Sequence, residues 1–426
     1  MPQAARPLAD WLAQLETLHP NAIALGLERV RQVKDTLGLV PDFPIIAVAG
    51  TNGKGSTCAY LEAVPASAGY RVGLYTSPHL LRYNERVRVG RRAAEDAEIV
   101  ASFEAVEGAR RGIPLTYFEF GTLAAMWHFL QAGVDVGVLE VGLGGRLDAV
   151  NVFDADAAVV TTVDLDHMEY LGPDREAIGF EKAGVYRAGR PAICADRAPP
   201  RRLLEHAARI GADLRLAGRD YDIAASADAW RWRGKEGVLE NLPYPALAGS
   251  YQLDNAAAAV AALLSLREHL PVPRGAIEQG LRDALIGGRF QQVAAAPEIY
   301  LDVAHNPQAA RALAANLAVA SCTGRTLAVA GMLADKDHAG VFGALAPVVN
   351  RWFLADLGGA RGAGASVLLE ALRRVAPAAP AEPHARPAAA LAAARKAAGR
   401  GDRIIVFGSF HTVAAVLEAH PKWQFS

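Results

Sequence analysis

A glycine-rich loop between an apolar strand and a helix is the feature that most constrains this chain. The segment AGTNGKGSTCAY (49–60) follows the apolar run PIIAVAG (44–50) and contains Lys54 and Ser56. Such a loop turns backbone N–H groups and a helix N-terminus towards polyphosphate, while the lysine adds positive charge and the hydroxyl can approach Mg²⁺. The spacing departs from G-x-x-x-x-G-K-[ST], because Gly55 follows Lys54 and Gly50 lies too close. A plain glycine turn is the alternative, but strand, lysine and hydroxyl together favour nucleotide binding.

The pattern around this loop predicts a parallel sheet covered by helices. Short apolar runs such as DVGVLEVG (135–142) and AAVVTTVD (157–164) end in Gly-rich or polar turns and alternate with Ala-rich helical stretches. Past Ala183, the segments RPAICAD, AWRWRG and ENLPYPAL indicate a mixed-sheet extension of the same domain. We therefore predict one α/β domain over residues 1–286.

The pattern restarts after GGRFQQVAAAP, which we interpret as a linker over residues 287–297. The segment EIYLDVAHNPQAARALAANL follows, and three strand candidates come after it: TLAVAGML, RWFLADL and RIIVFGS. They predict a Rossmann-like α/β domain over residues 298–426. We interpret the Ala/Pro-rich stretch from Val375 to Ala389 as loop and helix, although its composition is that of a linker.

Size and charge exclude several classes of protein. A chain of 426 residues suits two or three domains, and 44 basic against 45 acidic residues leave a net charge of -1. This balance attracts neither nucleic acid nor an anionic membrane. Cys58, Cys194 and Cys322 lie far apart and favour a reducing cytoplasm, while the first residues MPQAARPLAD lack an apolar signal core. We expect a cytoplasmic protein.

Further motifs give the chain a family resemblance. GTNGKGST is similar to the ATP loop of the Mur ligase superfamily, and the other segments together resemble the bifunctional dihydrofolate synthase/folylpolyglutamate synthase family. These segments are SPHL (77–80), TYFEFGTLAA (116–125), EVGLGGRLDAVN (140–151), LDHMEYLGPDREAIGFEKAG (165–184), GRFQ (288–291), DVAHNPQAA (302–310) and GSFHTVA (408–414). The likeness extends from the PLADWL segment at Leu8 to beyond His411, and Val150 departs from it where the family usually has Thr. It implies an amino-terminal P-loop-type Mur ligase ATPase domain and a carboxy-terminal Rossmann-like domain.

The resemblance also implies an ATP and metal site. Alone, Asn255 would be a helix N-cap, Arg289 a surface residue and His167 a buried structural histidine. By family match, Asn255 lies near the nucleotide and Arg289 and Asp302 lie at the domain junction, so the second domain is expected to complete the ATP site and domain closure to gate catalysis. The implied ATP-binding residues are Thr51, Asn52, Gly53, Lys54, Gly55, Ser56, Asn255, Arg289 and Asp302. The implied Mg²⁺ ligands, for two ions, are Ser77, Glu140, His167 and Lys182.

Lys182 is the least ordinary of these residues. By default, the lysine of FEKAG would be solvated or would pair with Glu181. By resemblance it is carbamylated, which turns an ammonium into an anionic oxygen ligand and requires a neutral amine with a lowered pKa. Lys54, Lys182 and His305 are the predicted catalytic residues.

The resemblance places two further substrates. Tyr117 and Phe118 suit a flat heterocycle, although core packing is the commoner role of such rings. Family analogy assigns glutamate to Arg86, His305 and Ser409, against the alternatives of an exposed strand arginine and a serine N-cap. The implied dihydropteroate-binding residues are Ala24, Leu25, Gly26, Leu27, Thr116, Tyr117, Phe118, Glu119, Leu147, Asp148 and Ala149.

Together these features predict an ATP-dependent ligase acting through an acyl phosphate. It would add glutamate to 7,8-dihydropteroate and further glutamates to tetrahydrofolate, and the family suggests a monomer with small-molecule substrates only. A regulatory NTPase switch is one alternative, but this chain lacks the N-K-x-D signature for guanine. A catalytically silent nucleotide-binding scaffold is another, but it would be expected to lose Lys54, Glu140 or His167, and all three are present. A folylpolyglutamate synthase without dihydrofolate synthase activity is the alternative within the ligase class. We interpret LADKDH (333–338) as a solvated loop. We interpret His79 as a residue that orients its loop, and Cys58 as part of the core packing.

Overall fold

The computed structural model describes residues 6–21 and 23–423. The expectation about the signal segment rests partly on residues 1–5, which lie outside this range. The chain forms two compact units, one of residues 1–246 and 252–285 and one of residues 247–251 and 286–426. Among the described residues, no helix combines the length and the apolarity needed to cross a bilayer.

The elements alternate along the chain as the sequence pattern predicts. The helices are α1 Leu8–Thr17, α2 Glu28–Leu37, α3 Lys54–Ser67, α4 Asp96–Arg110, α5 Tyr117–Ala132, α6 Met168–Leu171, α7 Arg175–Ala183, α8 Arg201–Ile210, α9 Tyr251–Ser265, α10 Arg274–Asp283, α11 Pro307–Val319, α12 His338–Leu345, α13 Ala365–Val375, α14 Pro387–Ala397 and α15 Phe410–Ala419. The strands are β1 Ile45–Ala49, β2 Val72–Tyr75, β3 Val87–Val89, β4 Arg92–Ala93, β5 Val136–Glu140, β6 Ala157–Val160, β7 Pro191–Cys194, β8 Asp213–Leu216, β9 Asp222–Ala225, β10 Trp230–Gly234, β11 Gly237–Leu242, β12 Gln291–Ala295, β13 Glu298–Leu301, β14 Thr326–Ala330, β15 Arg351–Ala355, β16 Ala381–His384 and β17 Arg403–Phe407.

The main sheet of the first unit has eight strands in the order β4-β3-β2-β5-β1-β6-β7-β8. All neighbours are parallel except β2 with β3 and β3 with β4. Strand β1 is buried at every position and lies between β5 and β6. In such a sheet, the loops that follow adjacent parallel strands meet at one edge. The loops after β2, β5, β1 and β6 are therefore neighbours.

A three-stranded antiparallel sheet, β11-β10-β9, extends the first unit. In β10, Trp230 and Trp232 are buried while Arg231 and Arg233 are exposed, as the period of two in a strand requires. The indole N–H groups of the two tryptophans donate to Pro243 O at 2.7 Å and to Ala257 O at 3.2 Å. The polar N–H groups of both indole rings are therefore hydrogen-bonded although the rings are buried.

The second unit contains a six-stranded sheet in the order β12-β13-β17-β14-β15-β16. Only the β12–β13 pair is antiparallel. Strand β12 lies within the predicted linker 287–297, and β16 lies within the stretch interpreted as loop and helix. Edge pairing explains β16, because a proline such as Pro383 is tolerated in an edge strand, where its missing N–H need not join a second neighbour. The predicted α/β class is confirmed.

Candidate active site

Lys54 is the first residue of α3, directly after the glycine-rich loop. Its Nζ donates to Gly50 O at 3.0 Å and lies 3.4 Å from Thr51 O. Helix α3 is 14 residues long and most of its length is buried. The ammonium therefore rests on carbonyls of its own loop at a buried helix N-terminus, where a phosphate would meet both the charge and the N–H groups.

The end of β6 holds the glycine-rich loop in shape. Thr51 N donates to Thr162 O at 2.7 Å, and Asn52 N donates to Thr162 Oγ1 at 3.1 Å. Thr161 Oγ1 donates back to Asn52 O at 2.6 Å. These bonds use the carbonyl and hydroxyl groups of TTVD, a segment that the sequence showed only as a strand. They fix the loop independently of any ligand.

Helix α9 closes the other side of the loop. A Cβ on Gly53 would lie 2.5 Å from Asn255 Oδ1, and Asn255 Nδ2 donates to Gln252 Oε1 at 3.0 Å. Gln252 Nε2 in turn donates to Ser56 Oγ at 3.2 Å. Asn255 lies inside α9, so the N-cap interpretation is wrong. Sequence reasoning missed Gln252, whose spacing of three residues from Asn255 places both on one helix face.

Because a Cβ on Gly53 would collide with Asn255, replacing Gly53 with alanine tests whether the glycine-rich loop binds ATP. Gly53 has φ 89° and Gly69 has φ 94°, but a Cβ on Gly69 would meet no atom within 4 Å. We expect Gly69→Ala to cost about 1 kcal/mol of unfolding free energy through backbone conformation alone. Gly53→Ala should cost more, and should weaken ATP binding at least about tenfold because Asn255 must move. Denaturant unfolding and calorimetric titration with ATP check this, and equal effects of the two variants would contradict it.

The predicted metal ligands occupy the same edge of the sheet. Glu140 ends β5, pairs in register with Val48 and is buried, and its Oε2 accepts from Ser77 N at 3.1 Å. His167, after β6, has φ 51°, and its Nε2 lies 3.9 Å from Asp166 Oδ1. Across the described residues, no three His, Cys, Asp or Glu side chains cluster as a protein metal cage would. One buried carboxylate beside a phosphate loop fits Mg²⁺, which usually takes few protein ligands and shares substrate phosphates.

Lys182 lies on α7 and is buried, with 4% of its surface exposed. Its expected partner Glu181 instead pairs with Arg146 at 2.9 Å, so both default interpretations of Lys182 are wrong. Burial, and then the charge of Lys54, lower the pKa of Lys182 to about 7, against the opposing effect of Asp166 and Asp148. A large fraction of this amine is therefore neutral at neutral pH.

Hydrogen bonds join the three segments predicted to bind dihydropteroate. Gly26 N donates to Leu147 O at 3.3 Å, and Arg29 bridges Ala24 O at 2.8 Å and Glu119 Oε1 at 2.6 Å. The carboxylate of Glu119 also accepts from Thr116 N, so it holds the segments together. Arg29, within LGLERV, was not singled out in the sequence.

Asp148, within the third of these segments, is buried. It accepts from Leu143 N at 2.9 Å and from Val150 N at 3.0 Å. Burial raises the pKa of Asp148 to about 7 despite these bonds. Val150 thus supplies the same backbone donor that any residue would, so the departure from the family pattern leaves this contact intact. Phe118 lies against Gly142 and packs on Tyr75 with ring centroids 5.7 Å apart.

Arg86 belongs to an aromatic cluster in the first unit. Its Nε donates to His79 Nδ1 at 2.8 Å, and its Cζ lies 5.5 Å and 5.3 Å from the ring centroids of Tyr83 and Tyr117. Arg86 ends a 3-10 turn, so the interpretation as an exposed strand residue is wrong. His79 thus contacts Arg86, and its predicted role in orienting its own loop stays a prediction.

The remaining predicted residues lie in the second unit. Asp302 is buried and accepts from Phe290 N at 2.9 Å and Ala304 N at 2.8 Å, and Arg289 Cζ lies 5.2 Å from the Phe410 ring. His305 Nδ1 is 2.8 Å from Val303 O. Ser409 caps α15 by accepting from Thr412 N at 3.0 Å, as its default interpretation states. Asp302 and His305 follow β13 and Ser409 follows β17, which are adjacent strands, whereas Arg289 precedes β12.

The loop LADKDH is less solvated than predicted. The Lys336 side chain is 8% exposed, and Asp337 caps α12 through Gly340 N at 2.9 Å. Cys58 is fully buried on α3, in agreement with its interpretation as core packing.

Comparison with known proteins agrees with this geometry. Residues 48–263 match the Mur ligase middle domain, and residues 288–410 match the Mur ligase glutamate ligase domain. Dihydrofolate synthase/folylpolyglutamate synthase of Escherichia coli K12 is 48% identical over 418 residues, covering 98% of this chain and 96% of that protein.

Two solved structures are similar along their whole length. E. coli FolC in complex with DHPP and ADP has a TM-score of 0.93, 47% identity and full coverage of both chains. A bifunctional folylpolyglutamate synthase/dihydrofolate synthase with Mn, AMPPNP and L-glutamate bound has a TM-score of 0.90 and 48% identity, covering 98% of this chain and 99% of that one. The chain therefore belongs to the dihydrofolate synthase/folylpolyglutamate synthase family of Mur ligases.

Proposed function

We propose that this protein is an ATP-dependent ligase that adds L-glutamate to 7,8-dihydropteroate and further glutamates to tetrahydrofolate. The observation that carries the proposal is that the loops at the ends of β1 and β5, which carry Lys54 and Glu140, are neighbours in the sheet, and that the charge of Lys54 acts on the buried Lys182. The names of the family relatives support the same pair of activities.

The chemistry follows from the weakness of a carboxylate as an electrophile. A carboxylate oxygen of the folate precursor attacks the γ-phosphorus of ATP, the bond to ADP breaks, and an acyl phosphate forms. The amine of glutamate then attacks the carbonyl carbon, phosphate leaves, and the amine loses its proton. Lys54 and the loop N–H groups stabilise the charge that develops on the transferring phosphoryl oxygens. Bound Mg²⁺ would supply further charge neutralisation, held at Ser77, Glu140 and His167.

The proposal includes a carbamate on Lys182. The neutral amine attacks CO₂, an N–C bond forms and one proton is released. The carbamate would supply an anionic oxygen ligand for a second Mg²⁺, at a position where Asp166 also contributes negative charge. Burial of Lys182 and the pairing of Glu181 with Arg146 support this assignment.

We propose the remaining substrate contacts that the family resemblance implies. Asn255, Arg289 and Asp302 also bind ATP, and Arg86, His305 and Ser409 bind glutamate. We place the enzyme in the cytoplasm as a monomer with small-molecule substrates, on its balanced charge and on the resemblance.

One assay distinguishes the candidate functions. Purified protein is incubated with ATP, Mg²⁺ and radiolabelled glutamate, with either dihydropteroate or tetrahydrofolate as acceptor. We expect labelled product from both acceptors. Product from tetrahydrofolate alone would select the monofunctional alternative, and product from neither would reject the ligase. The amino-terminal segment LGLERV (25–30) favours the bifunctional enzyme.

A further inference from the structure

Helices α7 and α8 present a group of basic side chains around one aromatic ring. The guanidinium Cζ atoms of Arg202, Arg146 and Arg209 lie 4.9, 5.7 and 5.8 Å from the centroid of Phe180. The ring of His206 meets Phe180 edge-on at 5.3 Å, and its Nδ1 is 2.8 Å from Arg209 Nη2. We call these five residues the Phe180 cluster. It lies outside every site assigned above.

Only one guanidinium of the cluster has a carboxylate partner among the described residues. Glu181 pairs with Arg146 at 2.9 Å, whereas Glu205 pairs with Arg201, outside the cluster, at 3.3 Å. The carboxylate of Glu176 accepts hydrogen bonds from the backbone N–H groups of Arg201 and Arg202, the first two residues of α8. Within residues 6–21 and 23–423, neither Arg202 nor Arg209 forms an ion pair with a carboxylate. The cluster therefore carries excess positive charge on an accessible surface, since both side chains belong to exposed residues.

Arg146 has Glu181 as its anion, but Arg202 and Arg209 lie over the same ring without a carboxylate partner in the described chain. The cation–π contacts stabilise each guanidinium, and the mutual repulsion of the cations opposes them. Burial, together with the charges of Arg209 and Arg146, lowers the pKa of His206, so the imidazole also responds to the positive field. A ligand with several separated negative charges would relieve the repulsion.

The position of the cluster indicates which anion fits. Arg146 directly precedes Leu147, whose carbonyl binds Gly26 in the segments assigned to dihydropteroate. Lys182 is buried on α7, two residues after Phe180, so the two side chains face different sides of that helix. A ligand that reaches from the pterin segments to the cluster must be flexible and must carry carboxylates along its length.

We propose that the Phe180 cluster binds the carboxylates of a γ-glutamyl tail already built on the folate. The inference rests on the proposed function and adds a site for the growing product. Arg202 and Arg209 contact the tail, and Arg146 links this surface to the loop that precedes Asp148. Longer tails place more carboxylates on the cluster and bind more tightly.

The test uses a double variant of the full-length enzyme, Arg202→Gln with Arg209→Gln. Arg201→Gln is the matched control, because Arg201 lies on the same helix, has a side chain 81% exposed and is not over the ring. We expect KM for triglutamyl tetrahydrofolate to rise about three- to tenfold in the double variant, as two exposed charge contacts would allow. KM for the monoglutamate and kcat for both substrates should stay unchanged. The difference should shrink in about 0.5 M KCl because salt screens exposed charges.

A direct binding measurement separates this inference from the ligase assignment. A fluorescent γ-triglutamate peptide should bind the wild type and the Arg201→Gln protein equally, and the double variant more weakly. This result would uphold the cluster even if neither folate acceptor gave product. Equal peptide binding by all three proteins, together with equal KM ratios, would overturn it. Inorganic triphosphate that displaces the peptide as well as free γ-triglutamate does would show a general anion surface and would also overturn the tail assignment.

Discussion

Replacing Lys182 with alanine should abolish most ligase activity and leave the fold intact. The side chain is 4% exposed on α7, its pKa is about 7, and its neighbour Glu181 is engaged by Arg146. A buried ammonium that does not have Glu181 as its partner would be expensive to keep charged, whereas the neutral amine can react with CO₂. We expect kcat to fall at least about 10³-fold if a metal-facing anion is lost.

The variant Lys182→Arg distinguishes a carbamate on Lys182 from an ordinary positively charged side chain at this position. Guanidinium keeps its positive charge and cannot be carbamylated, so this variant should stay inactive. In Lys182→Ala, small carboxylic acids or bicarbonate should restore part of the activity by occupying the vacated volume. Substantial activity of Lys182→Arg, or a mass spectrum and electron density showing a plain lysine in the active enzyme, would reject the carbamate.

The pKa of Lys182 also sets a pH dependence for its modification. Below about pH 7 the amine is mostly protonated and cannot attack CO₂, and above that pH the neutral form dominates. Enzyme freed of CO₂ should therefore regain activity on addition of bicarbonate more slowly at pH 6 than at pH 8.

Lys54→Ala should lower kcat by about 10³-fold with little loss of stability. Lys54 Nζ rests on the carbonyls of Gly50 and Thr51, so its removal breaks no ion pair with an Asp or Glu in the part of the chain that the structure describes. The ammonium would act where phosphoryl charge develops, and such stabilisation appears mainly in kcat. Lys235→Ala, an exposed lysine of the same unit, is the control for loss of one charge. Near-normal turnover of Lys54→Ala with an unchanged melting temperature would show that this loop does not take part in phosphoryl transfer.

The sequence by itself determined the class of the fold and the place of the phosphate loop. Buried runs such as Ile45–Ala49 and Val136–Glu140 are β-strands because they are short, apolar and bounded by turns, and the loop after Ala49 combines glycines, Lys54 and Ser56 in one continuous segment. Local patterns of this kind depend on neighbours within a few residues, so they can be detected in the chain alone. The family resemblance rested on the same continuous segments.

Only the tertiary structure decided which groups meet. The bonds from Gln252 to Ser56 and from Arg29 to Glu119 join residues 196 and 90 positions apart, and nothing in the local pattern distinguishes these side chains from solvated ones. Strand β16 has no apolar run, because an edge strand gains its order from pairing with β15. The lowered pKa of Lys182 depends on burial and on the charge of Lys54, which are properties of the folded chain. Sequence spacing cannot report them, because desolvation is set by every element that packs around a group.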